Sequence, residues 1–159
     1  MIETRKFYLT KQGLERIKKE EEALRELKVV KANGGSPEFM HSEDLNPEYL
    51  AFQEDVGFLE TRTLELENIL KNAEIIKAPP KQEQDIVGLG ATVLAELDGN
   101  EGEFKIVGTL EADPLDYKIS NESPIGKAIF GKKAGETVFI QTGSTERCCK
   151  IKKISYDIA

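Results

Sequence analysis

Tyr49, Phe52, Val56, Leu59, Thr63, Leu66, Leu70 and Ala73 follow one another at alternating steps of three and four residues. No other feature of this 159-residue sequence narrows the possible folds as far. Such spacing lays the side chains along one stripe of an α-helix, the seam of a coiled coil, and a stripe that narrow is covered by a single partner helix. Only Thr63 departs from apolar character. The helix begins at Asn46-Pro47, with Asn46 as the cap and proline at the first helical position, where its missing N–H is no loss. Running from Pro47 to Glu74, it is about 40 Å long. Its partner lies upstream. Thr10 caps a helix that runs to about Ala32, where Asn33-Gly34-Gly35-Ser36-Pro37 stops it. Leu14, Ile17, Leu24 and Leu27 form a thin apolar stripe between long charged residues. The two helices are expected to pair antiparallel as a rod, with the turn at residues 33–46 far from the rest of the protein.

Composition agrees with an elongated element. Apolar residues make up 39% of the chain and charged residues 32%, a balance shifted toward solvated surface. The formal net charge is -7, from 22 Lys and Arg against 29 Asp and Glu. A net-acidic chain is a poor candidate for unaided duplex binding, which depends on neutralising phosphates. If the protein works on nucleic acid, another molecule holds it. The two cysteines, Cys148 and Cys149, are adjacent, which makes neither a disulfide framework nor a zinc-ligand pattern; they read as small apolar residues of a strand. No stretch approaches the roughly 20 apolar residues of a membrane span, so a cytoplasmic protein without membrane contact is expected.

Beyond Lys77-Ala78-Pro79-Pro80-Lys81, a short stiff linker, the apolar period changes to two. Ala91–Leu97 and Glu103–Leu110 read as strands around a loop at 98–102, and Thr137–Thr142 and Glu146–Ile154 as a second hairpin around Gly143-Ser144. Ser123-Pro124 opens a short helix that Gly131 closes. The expected class is α+β, with a helical hairpin over residues 1–76, a linker over 77–82, and a globular domain of antiparallel sheet and one short helix over 83–159.

Several strings in this order resemble the Gre-type transcript-cleavage elongation factors of bacteria. Glu48-Tyr49-Leu50-Ala51-Phe52-Gln53-Glu54, Gly57-Phe58 and Glu60-Thr61-Arg62 are similar to that family's second coiled-coil helix, and Asn72-Ala73-Glu74-Ile75-Ile76 to its close. Gly90-Ala91-Thr92-Val93, Ile106-Val107-Gly108, Ser123-Pro124-Ile125-Gly126 and the run from Ile129 to Val138 resemble its FKBP-like C-terminal domain. The resemblance covers nearly the whole chain. It implies a factor that is not itself an enzyme. Such a factor enters the secondary channel of a backtracked RNA polymerase and helps the polymerase hydrolyse the extruded RNA 3′ end. The polymerase and the nascent RNA 3′ end are the implied partners. The factor has no cofactor of its own, only Mg²⁺ in the polymerase active site. The globular domain is implied to grip the channel rim.

The tip, Ser36 to Pro47, carries the acids such a role needs. Two-metal phosphodiester hydrolysis needs a second cation opposite the first, and Mg²⁺ is often held through one or two carboxylates plus phosphate oxygens. Glu43 and Asp44 have that chemistry at that place and are the candidate catalytic and metal-sharing residues. The family's usual tip reads Gly-Asp-Leu-Lys-Glu-Asn-Ala-Glu-Tyr, and this chain departs from it. Anchoring on Glu48-Tyr49 without a gap puts Ser42 and Leu45 where the family has its acids. Matching Asp44-Leu45 to the family's Asp-Leu preserves the aspartate and Asn46 but removes the Lys-Glu pair, so that Glu43 stands in for the lost glutamate; this alignment is preferred. A paralogue that occupies the same channel and inhibits without cleavage is the alternative. An interaction protein unrelated to transcription is a third reading.

Other residues have plainer readings beside functional ones. Glu43 and Asp44 would also favour the helix that follows, and Glu48 belongs to that helix-end role. His41 is a solvated loop histidine or a member of a metal site or proton relay. Phe39 and Met40 fold back over the helix ends or meet the polymerase. Lys18, Lys19, Arg25, Lys28 and Lys31 make a stripe able to guide RNA, but with Glu20, Glu21, Glu22 and Glu26 interleaved a salt-bridged face is preferred. The run from Ile129 to Val138 is structural, with no isomerase activity expected of it.

Overall fold

In a computed structural model, which describes residues 5–34 and 47–157, the two long helices lie where their caps and stripes predict. α1 spans Lys11–Asn33 and α2 spans Pro47–Lys71. At about 1.5 Å per residue α2 is about 38 Å long. Every seam residue from Tyr49 to Leu70 is buried or half-buried. The buried stretch is Leu59, Thr63, Leu66 and Ile69, whereas Tyr49, Phe52 and Val56 are only half-covered. Thr63 belongs to the seam because its hydroxyl donates to the Leu59 carbonyl at 2.6 Å, within its own helix, and so needs no partner across the seam.

The seam ends earlier than its spacing suggests. Ala73 is not helical. Asn72 closes α2, its side chain donating to the Asn68 carbonyl and to Asn68 Oδ1 at 2.9 Å each. Ala73–Ile75 then becomes strand β2, which pairs in parallel with β1, Phe7–Leu9. The Ile76 N–H donates to the Leu9 carbonyl at 2.9 Å, and Leu9 and Ile76 are buried. A helix can be extended by one residue for one hydrogen bond; here a strand partner and two buried side chains offered more.

The chain divides into two compact units, residues 14–72 and residues 1–13 with 73–159. Division was expected at the 77–82 linker. Instead β1 and β2 draw both flanks of the hairpin into the globular unit, and Lys77–Lys81 lies within that unit. There Gln84 donates to the Pro79 carbonyl at 3.0 Å, and Lys81–Glu83 forms one turn of 3-10 helix.

The globular unit is built on a five-stranded sheet. β3 (Thr92–Leu97), β4 (Asn100–Val107), β5 (Lys118–Ser120), β6 (Thr137–Thr142) and β7 (Thr145–Ser155) lie in the order β5-β4-β3-β7-β6. Three of its pairings are antiparallel, as expected; the β4–β5 edge is parallel. Asp98 and Gly99 turn β3 into β4 with both φ angles positive, 51° and 83°. This is the backbone of a two-residue hairpin, so the 98–102 loop shortens to two residues. The β3–β7 register shifts between Leu94 and Ala95, leaving Lys152 as the extra residue of a bulge. Its ammonium lies 2.6 Å from Glu101 and 3.2 Å from Glu96, which hold its pKa above the usual lysine value.

α3, Pro124–Ile129, is capped by Ser123, whose hydroxyl accepts from the Gly126 N–H at 3.0 Å. It closes one side of a core that includes Val87, Val93, Ile106, Ile129, Ile140 and Ile151. Cys149 is part of this core and burial raises its thiol pKa. Cys148, on the opposite face of β7, is exposed. Both cysteines lie in a strand, as expected, and only Cys149 is buried. No helix among the described residues is long and apolar enough to cross a membrane.

Candidate functional site

Residues 35–46 lie outside the described residues, and with them Glu43, Asp44, His41, Phe39, Met40 and the expected cap Asn46. The structure shows the frame that carries this segment. At its upstream end Gly34 still donates to the Val30 carbonyl at 2.9 Å. At its downstream end Pro47 opens α2 and Glu48 stands in the first turn, the helix-end position predicted for it.

The helices are tied together directly below that segment. Lys31 reaches across to Asp55 at 2.7 Å, and its ammonium stands 6.0 Å from the centroid of the Phe52 ring, within cation–π range. Further along, Lys28 pairs with Glu60 at 3.6 Å and Arg62 with Glu20 at 2.9 Å. The hydrogen bond that Arg62 donates to Glu20 holds its guanidinium further toward the charged form. These pairs run in opposite chain directions, which is the antiparallel hairpin seen from its surface.

The basic stripe is therefore largely used up by the hairpin itself. Lys28 and Lys31 pair with α2, and Arg25 pairs with Glu21 of its own helix and stands 3.9 Å from Glu67. Lys18 and Lys19 are exposed. Glu21 is the residue sequence reasoning missed: it sits among the apolar positions of α1 and is only 6% exposed. Its signal was its place in the stripe, between Ile17 and Leu24.

Among the described residues no group of three or more His, Cys, Asp or Glu side chains could hold a metal ion. A groove of about 430 Å³ in the globular unit is lined by residues that include Ala95, Leu97, Phe104, Tyr117, Asp98 and Arg147. No residue from Ile129 to Val138 lines it.

Comparison with known proteins bears on the whole chain. Residues 7–75 match the family model described as transcription elongation factor, N-terminal. Residues 81–156 match the model described as transcription elongation factor, GreA/GreB, C-term. Transcription elongation factor GreA of Bacillus licheniformis is 42% identical over 166 aligned positions, covering 98% of this chain and 100% of that protein. The Bacillus subtilis protein of the same name is 37% identical with the same coverage. Among solved structures, GreA factor homolog 1 (Gfh1) of Thermus thermophilus is 27% identical, with a TM-score of 0.41 over 95% of this chain and 99% of that one.

Proposed function

The chain belongs to the GreA/GreB family of transcription elongation factors, and from that premise we propose that it inserts its hairpin tip into the secondary channel of RNA polymerase and stimulates Mg²⁺-dependent cleavage of the RNA 3′ end in backtracked complexes. The observation that carries this reading is the pairing of family membership over both segments with a hairpin whose helices are cross-tied by Lys31–Asp55 just below residues 35–46. The twelve residues between the tied helix ends include Glu43 and Asp44.

The donor chemistry fits the ion. Two carboxylates are hard oxygen ligands of the kind Mg²⁺ takes, and too few to hold it firmly alone. Held in the polymerase, the ion would polarise the phosphate and supply an activated water. Asp44 would offer it one carboxylate and Glu43 another, in place of the glutamate the family's usual tip carries. Neither residue needs to bind RNA. On this reading the protein works with RNA polymerase, has no nuclease activity of its own, and makes its contact with the nascent 3′ end inside the polymerase.

The test is a stalled, backtracked polymerase with end-labelled RNA. The protein should shorten the RNA, and Asp44→Asn should remove most of that stimulation while binding persists, because charge changes and shape barely does. Glu43→Gln should have its own effect only if Glu43 fills the missing position. Raising Mg²⁺ should partly restore either variant by mass action. Binding that slows elongation and yields no shortened RNA would sink the proposal in favour of an inhibitor.

A further inference from the structure

The two edges of the five-stranded sheet are finished differently. β5 has three residues, begins with Lys118, and is covered there by Asp113: each of these two residues donates its N–H to the other's carbonyl at 3.0 Å. β6, Thr137–Thr142, ends the sheet on the other side. Backbone bonds alternate along an antiparallel pair. The Ile151 N–H donates to the Glu136 carbonyl at 3.0 Å, which fixes the phase. Val138, Ile140 and Thr142 therefore bond to β7, and Thr137, Phe139 and Gln141 direct their N–H and C=O away from the sheet. Among the described residues no backbone group is hydrogen-bonded to these outward ones. Exposed edges are usually blunted by a charge, a proline, a bulge or a short strand. β6 has none of these. It reads Thr-Val-Phe-Ile-Gln-Thr, its register with β7 is unbroken, and Phe139 near its middle is 67% exposed.

An open strand edge is complementary to another extended backbone. We infer that β6 is a self-association surface, pairing antiparallel with β6 of a second copy of this chain across a two-fold axis at Phe139. That register sets Phe139 opposite its own counterpart and Thr137 opposite Gln141. Every outward N–H and C=O from 137 to 141 then meets an outward group of the other strand, and each opposed pair exchanges both bonds. The two-fold closes the contact at two copies. On the exposed face the two Phe139 rings become a cross-strand aromatic pair, their Cβ atoms about 5 Å apart. This covers the one large apolar side chain that β6 leaves in water. Charge agrees with the arrangement. On β7, exposed Lys150 lies beside Thr137 and exposed Glu146 beside Gln141. Antiparallel pairing ends each row of side chains in Lys150 of one copy and Glu146 of the other, so the charges flanking the contact are complementary. A strand of a different protein would have to match this pattern, and a second copy matches it by symmetry.

The experiment uses the full chain over a range of concentrations. One pair of six-residue strands is a small interface, so association belongs to the concentrated protein. The mass from sedimentation should rise from one copy toward two and stop there. Phe139→Lys sets two ammonium groups opposite each other on the axis and should weaken association by about 10-fold or more. Its melting temperature should stay native, because the Phe139 side chain lies outside the core. Phe139→Tyr keeps the ring pair and should associate as the native chain does. Hydrogen exchange locates the contact. As concentration rises, the amides of Thr137, Phe139 and Gln141 should slow, while those of Val138 and Ile140, already bonded to β7, should not change. A chain that stays single at every concentration overturns the proposal. So does association that Phe139→Lys leaves intact, or a mass that grows past two copies. If the chain stays single and the outward amides slow only when RNA polymerase is added, the edge belongs to that partner and self-association is refuted.

Discussion

The hairpin and the globular unit are stabilised by different means. In the globular unit Val93, Ile106, Ile129 and Ile151 are wholly removed from water, contributed by strands and a helix that close around one another. In the hairpin the buried residues of α2 are Leu59, Thr63, Leu66 and Ile69. Burial is complete at Leu66 and only partial at Phe52, and on α1 Leu27 is 45% exposed. Where apolar cover thins toward the tip, ion pairs and the Lys31–Phe52 contact take over. Such pairs confer alignment more than stability, since exposed ones contribute only about 0–1 kcal/mol each. The lesson is that one chain can hold a well-packed unit beside a thinly packed pair of helices whose register is fixed by ion pairs.

The largest effects should come from the deepest part of the seam. Leu66→Ala should destabilise the hairpin by about 2–5 kcal/mol, with Leu59→Ala close behind, and Phe52→Ala should cost less because solvent already reaches it. Followed by helix content and by a probe in the sheet during denaturation, Leu66→Ala should separate the two transitions. Coincident loss of both signals at one denaturant concentration would break the comparison and make the units one cooperative fold. Thr63→Val should change stability by less than about 1.5 kcal/mol, because the lost hydroxyl bond is to Leu59 of the same helix. A loss beyond that would mean the hydroxyl has a role across the seam.

Smaller still is Lys31→Met, expected to lower stability by about 0.3–1 kcal/mol while loosening the tip-proximal helix ends, seen as faster amide exchange in the last turn of α1. Exchange unchanged there would show that the pair does not hold the ends. In the globular unit, the Thr109 hydroxyl and then the Arg5 charge hold Glu122 below its ordinary carboxylate pKa. Its contribution is therefore present above about pH 4.5 and lost as pH falls through the lowered folded value. A carboxyl titration by NMR should show the depressed midpoint, and Thr109→Val should return it most of the way; no movement would assign the shift elsewhere. Finally, alkylation of the folded protein should modify exposed Cys148 and spare buried Cys149.

Much of the architecture was readable from local chemistry. The 3-4 spacing placed α2, Thr10 and Pro47 marked helix starts, and Asp98-Gly99, Gly143-Ser144 and Ser123-Pro124 marked the turns and α3. Glu43 and Asp44, the candidate tip acids, lie outside the described residues; the tie at Lys31 was not readable, because a stripe of alternating charges does not say which helix supplies each partner.

What the sequence by itself determined was whatever a window of a few residues decides: the period of apolar side chains, the capping groups, and the turns that admit positive φ. Only tertiary structure decided the rest. Ala73 left its heptad for a strand because Phe7–Leu9 lay beside it. Lys118–Ser120 became a parallel edge because β4 offered a free side. Gly13 leaves room for Glu111, which accepts from the Thr10 N–H from 101 residues away. Each of these outcomes turns on a partner remote in the chain, and hydrogen-bond and packing energy between remote residues exists only once the fold has brought them together.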